Sequence, residues 1–186
     1  CVQVLLLLMQ STRSFFRVLF PVEPIPMHSH NLLRGDDAML IPTGRPGATA
    51  EVRGGTAVPA LSGTVHFYPM WGGVLIVAQF RGLPRSGEGI FGFHIHQGGS
   101  CNGPDFGDTG SHFDFGSTRH PNHAGDMLPL FRCCGGRAYL SFVTSRFSVN
   151  DVIGRTVVVH SGADDFRTQP AGNAGRKIGC GVIRRN

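Results

Sequence analysis

The sequence predicts an all-β domain of about eight antiparallel strands, arranged as a sandwich or a flattened barrel with one long loop. Three observations support this prediction. The chain of 186 residues contains 27 Gly and 12 Pro, a composition typical of turn-rich β structure. Its β-branched and aromatic residues occur in short runs that are separated by Gly or Pro. The length suits one domain and a tail, because one hydrophobic core accounts for roughly 100 to 200 residues.

The predicted strands fall into two groups. Those before the long loop are 49–53, 63–68, 73–81 and 90–96, and those after it are 128–131, 138–144, 156–160 and 179–183. Residues 97–125 between the groups are rich in Gly, Asp and His and show no strand pattern. A loop of this length inside a compact domain is usually functional.

The N-terminal residues 1–46 show no sustained periodicity and contain scattered prolines. They are predicted to form a poorly ordered tail, followed by the domain over residues 47–186. The apolar run 4–9 is far shorter than the ~20 residues that a membrane-spanning helix needs, so no membrane span is predicted. The run lacks a basic leader and a clear cleavage site, but the chain begins with Cys1, so the tail is a candidate remnant of an export signal.

The formal net charge is +5, and the basic residues are scattered singly or in pairs. No basic run alternates with aromatic residues, so we predict no nucleic-acid partner. The chain has 5 Cys, an odd number, so at least one thiol has no partner within the chain.

His94 and His96 lie two positions apart on a predicted strand, so both imidazoles project from the same face. Taken alone, the pair also fits two ordinary histidines on the wet face of a strand. The long loop changes this interpretation, because three imidazoles and one carboxylate form a closed tetrahedral set suited to zinc. The loop residues of this set are His112, His120, His123 and Asp126.

His160 ends an apolar strand, where its ring can turn inward beside the first pair. A two-metal site needs one histidine that binds both ions through its two ring nitrogens, and His112 is the natural candidate. It would complete a four-imidazole set with His94, His96 and His160, a nitrogen environment that favours copper. The zinc set would then have no vacant position for a substrate, which disfavours a hydrolytic zinc enzyme and points to copper as the reaction centre.

Several short motifs resemble, in one order along the chain, those of the copper- and zinc-dependent superoxide dismutases. The resemblance covers about residues 47–183. The motifs are Gly-Phe-His-Ile-His at 92–96, Gly-Ser-His-Phe at 110–113, His-Pro-Asn-His-Ala-Gly-Asp at 120–126, Ile-Gly-Arg-Thr-Val-Val-Val-His at 153–160, Gly-Asn-Ala-Gly at 172–175 and Cys-Gly-Val-Ile at 180–183.

The resemblance implies a Greek-key β-barrel that converts superoxide to dioxygen and hydrogen peroxide. It implies copper on His94, His96, His112 and His160, and zinc on His112, His120, His123 and Asp126. It further implies that His112 carries a proton during turnover, that Asp164 hydrogen-bonds one ligand histidine of each metal, and that Cys101 and Cys180 form a disulfide. Asp164 also fits an ordinary solvated loop residue, and the adjacent Asp165 is a weaker candidate for its role. Export and a homodimer are implied as well, while a cytoplasmic location stays open.

One position departs from the family pattern. Lys177 stands where family members carry the arginine that guides the anionic substrate, and Arg176 lies beside it. Lysine keeps the positive charge but lacks the planar fork of arginine, so we expect reduced turnover. The alternative functions are a low-turnover module that stores or buffers copper and zinc, and a structural β module for which metals are incidental.

Overall fold

The computed structural model describes residues 44–85 and 88–186. Residues Gly44–Asn186 form one compact unit. Most of the predicted tail lies outside the described residues, so the predicted boundary at residue 47 stays a prediction. No helix in the described part of the chain is long and apolar enough to cross a membrane.

The described residues contain nine strands and three short helices. The strands are β1 Ala48–Gly54, β2 Ser62–Met70, β3 Gly73–Arg81, β4 Ile90–Phe91, β5 Phe93–His96, β6 Leu130–Phe131, β7 Ala138–Thr144, β8 Thr156–His160 and β9 Lys177–Arg185. The helices are α1, Val149–Val152, and the 3₁₀ helices Pro104–Thr109 and Cys134–Gly136. Every predicted strand has a counterpart, and the predicted strand 90–96 is divided at Gly92 into β4 and β5. The sequence patterns did not predict the short helices.

Seven strands form one curled antiparallel sheet with the order β5-β8-β9-β1-β2-β3-β7, and β4 pairs with β6 in a second, two-stranded sheet. β3 lies next to the edge strand β7, whereas β5 is the opposite edge, so the chain crosses the domain between β3 and β5. The predicted all-β class, with a barrel-like antiparallel sheet, is confirmed.

Alternating residues of the strands form the core. Along β1, Ala48, Ala50 and Val52 are buried while the residues between them are more exposed. Phenylalanines fill the centre: the rings of Phe80 and Phe93 meet edge to face with centroids 5.7 Å apart. Such edge-to-face pairs add stabilisation beyond the area that they bury. The core therefore fixes β3 against β5, the strand that carries two of the candidate ligands.

The long loop covers the free edge of β5. The backbone N–H of Phe113 donates to the carbonyl of Ile95 at 2.8 Å, and the N–H of Ile95 donates to the carbonyl of Gly125 at 2.9 Å. Two distant parts of the loop thus continue the hydrogen bonding of the edge strand, which leaves its backbone groups paired. As a result His112 lies opposite His96, and Asp126 lies opposite His94.

Candidate metal centre

Four histidines from two strands and the loop form the first group of side chains. His94 and His96 lie on β5, His160 ends the neighbouring strand β8, and His112 comes from the loop. All four are nearly inaccessible to solvent, and one ring nitrogen of each lies within 4.8 Å of the others. The strand pairing therefore brings together residues that are up to 66 positions apart in the sequence.

The orientation of the rings is set by hydrogen bonds on their outer sides. His96 Nδ1 lies 2.9 Å from the carbonyl oxygen of Gly110, and His160 Nδ1 lies 3.2 Å from that of Gly175. A carbonyl oxygen can only accept, so both Nδ1 atoms carry the proton and both Nε2 atoms have a free lone pair. These two Nε2 atoms face each other at 3.3 Å.

The second group consists of His112, His120, His123 and Asp126. The Asp126 carboxylate is at its centre: Oδ1 lies 2.6 Å from His112 Nδ1, and Oδ2 lies 3.2 Å from His120 Nδ1 and 3.1 Å from His123 Nδ1. His112 belongs to both groups, with Nδ1 directed to this one and Nε2 to the first. One imidazole thus joins a set of four nitrogens to a set of three nitrogens and a carboxylate.

The residues fit two metal ions. The buried nitrogens His94 Nδ1, His112 Nε2, His120 Nδ1 and His123 Nδ1 have no hydrogen-bond partner, since the contacts of the last two with Asp126 lack hydrogen-bond geometry. Buried polar atoms without partners are rare in folded proteins and call for an explanation such as a bound ion. Nitrogen and carboxylate donors at this mutual spacing are suited to transition metals.

The electrostatics of the site favour the protonation states that bind metals. Burial, with a smaller contribution from the neighbouring His112, lowers the pKa of His96 to about 2. Burial likewise lowers the pKa of His160 to about 3, with His94 adding to the effect. Burial alone would raise the pKa of Asp126, but the hydrogen bond with His112 and the nearby histidines outweigh it and lower the pKa to about 2. His96 and His160 are therefore held as neutral imidazoles and Asp126 as an ionised carboxylate, which are the ligand forms that metals require.

Asp164 lies between the two groups. Its Oδ2 accepts from His94 Nε2 at 2.7 Å, and its Oδ1 accepts from His120 Nε2 at 2.8 Å. Gly172 makes room for this carboxylate, because a Cβ at that position would overlap Asp164 Oδ1 and because its φ of +65° disfavours other residues. The adjacent Asp165 accepts instead from Thr168 and stays exposed.

Lys177 lies at the rim of a cleft of ≈ 440 Å³ that reaches His96, His112 and His160. Its Nζ donates to Thr109 Oγ1 at 2.7 Å and to the Gly110 carbonyl at 3.1 Å. Burial lowers the pKa of this ammonium group. The described residues that line the cleft include Lys177 but not the exposed Arg176.

Cys101 and Cys180 form a disulfide with their Cα atoms 5.7 Å apart, so the predicted pairing is confirmed. The bond attaches the long loop to β9. Cys133 and Cys134 are exposed in the turn before β7.

Two polar residues near the site were not singled out by the sequence patterns. Gln169 pairs with both backbone groups of His120: its Oε1 accepts from the N–H at 3.1 Å, and its Nε2 donates to the carbonyl at 2.7 Å. Arg146 contacts backbone carbonyls of the loop. Both act on the backbone of residues distant in sequence, so no local motif marks them.

The fold and the site define a class: antiparallel β-barrels in which one histidine joins two buried sets of metal ligands. The family model described as copper/zinc superoxide dismutase matches residues 61–183. The chain belongs to this family, as its motifs predicted.

The names of similar proteins agree with this family assignment. "Superoxide dismutase [Cu-Zn] 2" of Aquifex aeolicus is 38% identical over 126 residues, which is 60% of this chain and 72% of that protein. "Superoxide dismutase [Cu-Zn]" of Deinococcus radiodurans is 34% identical over 144 residues, or 67% of this chain and 78% of that protein. The crystal structure of the clock protein EA4 superimposes with a TM-score of 0.64 at 29% identity and covers 77% of this chain and 97% of that chain.

Proposed function

We propose that the protein is a superoxide dismutase that converts two superoxide ions and two protons to dioxygen and hydrogen peroxide. The observation that carries the proposal is the position of His112, whose two ring nitrogens face two different sets of buried ligands. Family membership supports the same activity.

The two ligand sets differ in chemistry, and we assign the metals on that basis. His94, His96, His112 and His160 offer four nitrogens, which suits copper. His112, His120, His123 and Asp126 offer three nitrogens and one carboxylate oxygen, which suits tetrahedral zinc. Bound copper would supply one-electron chemistry, and bound zinc would hold the loop in place.

His112 is the proposed proton carrier. Its Nε2 takes up a proton in the half of the cycle in which superoxide is oxidised to dioxygen. It gives the proton up in the half in which superoxide is reduced to hydrogen peroxide, and solvent supplies the second proton. His112 Nδ1 lies 2.6 Å from Asp126 Oδ1 in the second group, which leaves Nε2 directed to the first group.

Asp164 and Lys177 support the reaction in different ways. Asp164 is proposed to fix the rings of His94 and His120, since it accepts from the nitrogen of each that faces away from the ligand sets. Lys177 is proposed to attract superoxide to the cleft, because its ammonium group lies at the rim. Arg176 adds positive charge nearby but is a weaker candidate, since it is exposed beside the cleft.

The decisive experiment combines metal analysis, copper electron paramagnetic resonance and superoxide removal on the metal-loaded full chain. We expect one copper with a nitrogen-rich signal and one zinc per chain, with rapid turnover. His112→Ala should lower the rate by about a hundredfold or more, whereas His66→Gln, on the outer face of β2, should leave it unchanged. Tight binding of both metals with a negligible rate would instead support a storage or buffering module.

We also propose a homodimer. An apolar row crosses the outer face of the sheet, since Tyr68 pairs with Leu75 and Leu75 pairs with Val143, which is 53% exposed. Leu75 is itself buried, so the exposed part of the row is centred on Val143, and exposed apolar surface of this kind often marks contacts between chains. Sedimentation analysis of the full chain should show a dimer, and the Val143→Lys variant should dissociate more readily. A monomeric wild-type chain would exclude the proposal.

An extracytoplasmic location is the final part of the proposal. The Cys101–Cys180 disulfide supports it, since stable disulfides form in oxidising compartments. A relative from Brugia pahangi is named extracellular superoxide dismutase. Fractionation of the source cells, with thiol labelling of Cys101, distinguishes export from a cytoplasmic location.

A further inference from the structure

We infer that Arg146 is a positioning residue for the zinc ligands His123 and Asp126, which it holds through their main-chain carbonyls. The inference rests on the zinc site assigned above. Arg146 lies outside both ligand sets, in the segment between β7 and α1.

The contacts of Arg146 converge on one short segment. Its Nη1 lies 3.1 Å from the carbonyl oxygen of Pro121, 3.1 Å from that of His123 and 3.0 Å from that of Asp126. Because this nitrogen carries two hydrogens, the three acceptors share them. Hydrogen bonds from a charged donor are shorter and stronger than neutral ones. A single guanidinium group thus binds the backbone at both ligand positions.

The segment itself is a tight turn with two distinct sides. The Asp126 N–H donates to the His123 carbonyl at 3.2 Å, and the His123 N–H donates to Asp126 Oδ2 at 2.9 Å. These bonds bring His123 Nδ1 within 3.1 Å of the Asp126 carboxylate on the inner side. The His123 carbonyl already accepts from the Asp126 N–H, and Arg146 adds a charged donor to it and to the Pro121 and Asp126 carbonyls.

The backbone of Arg146 is hydrogen-bonded to the end of the sheet. Its backbone N–H donates to Thr144 Oγ1 at 3.2 Å, and Thr144 is the last residue of β7, where it pairs with Val74 of β3. The guanidinium group therefore connects the turn to the opposite edge of the sheet from β5. Ligands that are held in place before the metal binds lose less conformational freedom on binding, which raises affinity.

The test is the zinc affinity of the full chain, measured by competition with a chromophoric chelator. Arg146→Gln removes the charge and should weaken zinc binding about tenfold, the lower end of the range for residues that support metal ligands indirectly. Arg146→Lys keeps a donor and a charge and should restore part of the affinity. Arg137→Gln removes an equal charge from another exposed arginine and should leave the zinc affinity unchanged.

Two further measurements separate positioning from a general loss of stability. Thermal unfolding of the metal-free variants should show similar midpoints for Arg146→Gln and Arg137→Gln. Cobalt(II) at the zinc position should show an altered visible absorption in Arg146→Gln only. Zinc affinity within about twofold of wild type, or an equal loss in Arg137→Gln, would overturn the inference. A wild-type chain that binds no zinc at His112, His120, His123 and Asp126 would instead refute the proposed function.

Discussion

Lys177 Nζ lies 2.7 Å from Thr109 Oγ1, so a hydrogen bond fixes the ammonium group at the rim of the histidine cleft. A second contact extends this relationship toward the site. The Gly110 carbonyl accepts from Lys177 Nζ at 3.1 Å and from His96 Nδ1 at 2.9 Å. A longer contact of 3.5 Å joins Lys177 Nζ to the Phe106 carbonyl, so all three ammonium hydrogens are directed to the loop and Lys177 has little donor capacity left for an incoming anion.

Replacing Lys177 by arginine should raise the rate of superoxide removal. The guanidinium group has five donors in a planar fork, so it can keep the loop contacts and still bind a diatomic anion. We expect kcat/KM of Lys177→Arg to increase roughly two- to tenfold, measured by pulse radiolysis. Arg176→Lys, at the exposed neighbouring position, is the control and should have no effect. A rate of Lys177→Arg that stays flat or falls would contradict the prediction.

The rate should depend only weakly on ionic strength. Between β8 and β9 the charged residues are Asp164, Asp165, Arg167 and Arg176, and Asp164 is buried. Few charges surround the cleft, so the field that steers superoxide is small and salt has little to screen. We expect a decrease of less than about twofold between about 10 mM and about 150 mM salt. A steep fall over this interval would show strong steering that the described charges do not account for.

Substitution of Asp164 by asparagine should weaken metal binding. An amide has only one acceptor oxygen, so it cannot accept from both His94 and His120, and one ring loses its orientation. We expect metal affinity to fall by about 10- to 100-fold, measured by chelator competition for copper and zinc separately. The matched control is Asp165→Asn, because Asp165 accepts from Arg167 and Thr168 within its own turn. An equal loss in both variants would assign the effect to the turn.

The metal-free protein should lose stability as the pH falls below about 6.5, the ordinary histidine pKa. The folded-state pKa values of His96 and His160 are lowered to about 2 and about 3. The unfolded chain therefore binds protons at higher pH than the folded chain, and acid favours unfolding. Each imidazole contributes up to about 1.4 kcal/mol per pH unit between its unfolded and folded pKa values.

Urea unfolding of the metal-free chain between about pH 7 and about pH 5 measures this slope. His160→Gln removes one of the two groups and should reduce the pH dependence. Stability that is independent of pH in this interval would show that the two histidines are not held in their neutral form.

Loss of the disulfide should destabilise the fold. Cys101 and Cys180 are 79 positions apart in the sequence, and on the chain-entropy model closing such a loop contributes about 4 kcal/mol. We expect Cys101→Ser to lower the midpoint of thermal unfolding by many degrees, whereas Cys133→Ser, at an exposed thiol, should change it little. Equal midpoints for the two variants would show that the bond contributes little.

Much of the architecture could be predicted from the sequence. β3, β7 and β8 have the predicted bounds, because short runs of β-branched and aromatic residues between Gly or Pro turns specify strands locally. Residues 90–96, by contrast, form two strands, since β4 pairs with β6 whereas β5 pairs with β8. Both partners are distant in the sequence, so no local pattern could predict that division.

The sequence by itself determined the strands, the family and the set of residues able to bind metals, because those depend on residue type and on spacing along the chain. Only the tertiary structure decided which nitrogen of each ring faces inward, since the decision rests on acceptors such as the Gly110 and Gly175 carbonyls. It also placed Asp164 between His94 and His120, and Arg146 beside the carbonyls of His123 and Asp126. Backbone carbonyls are the same in every residue, so their positions, and what they bind, arise only when the chain is folded.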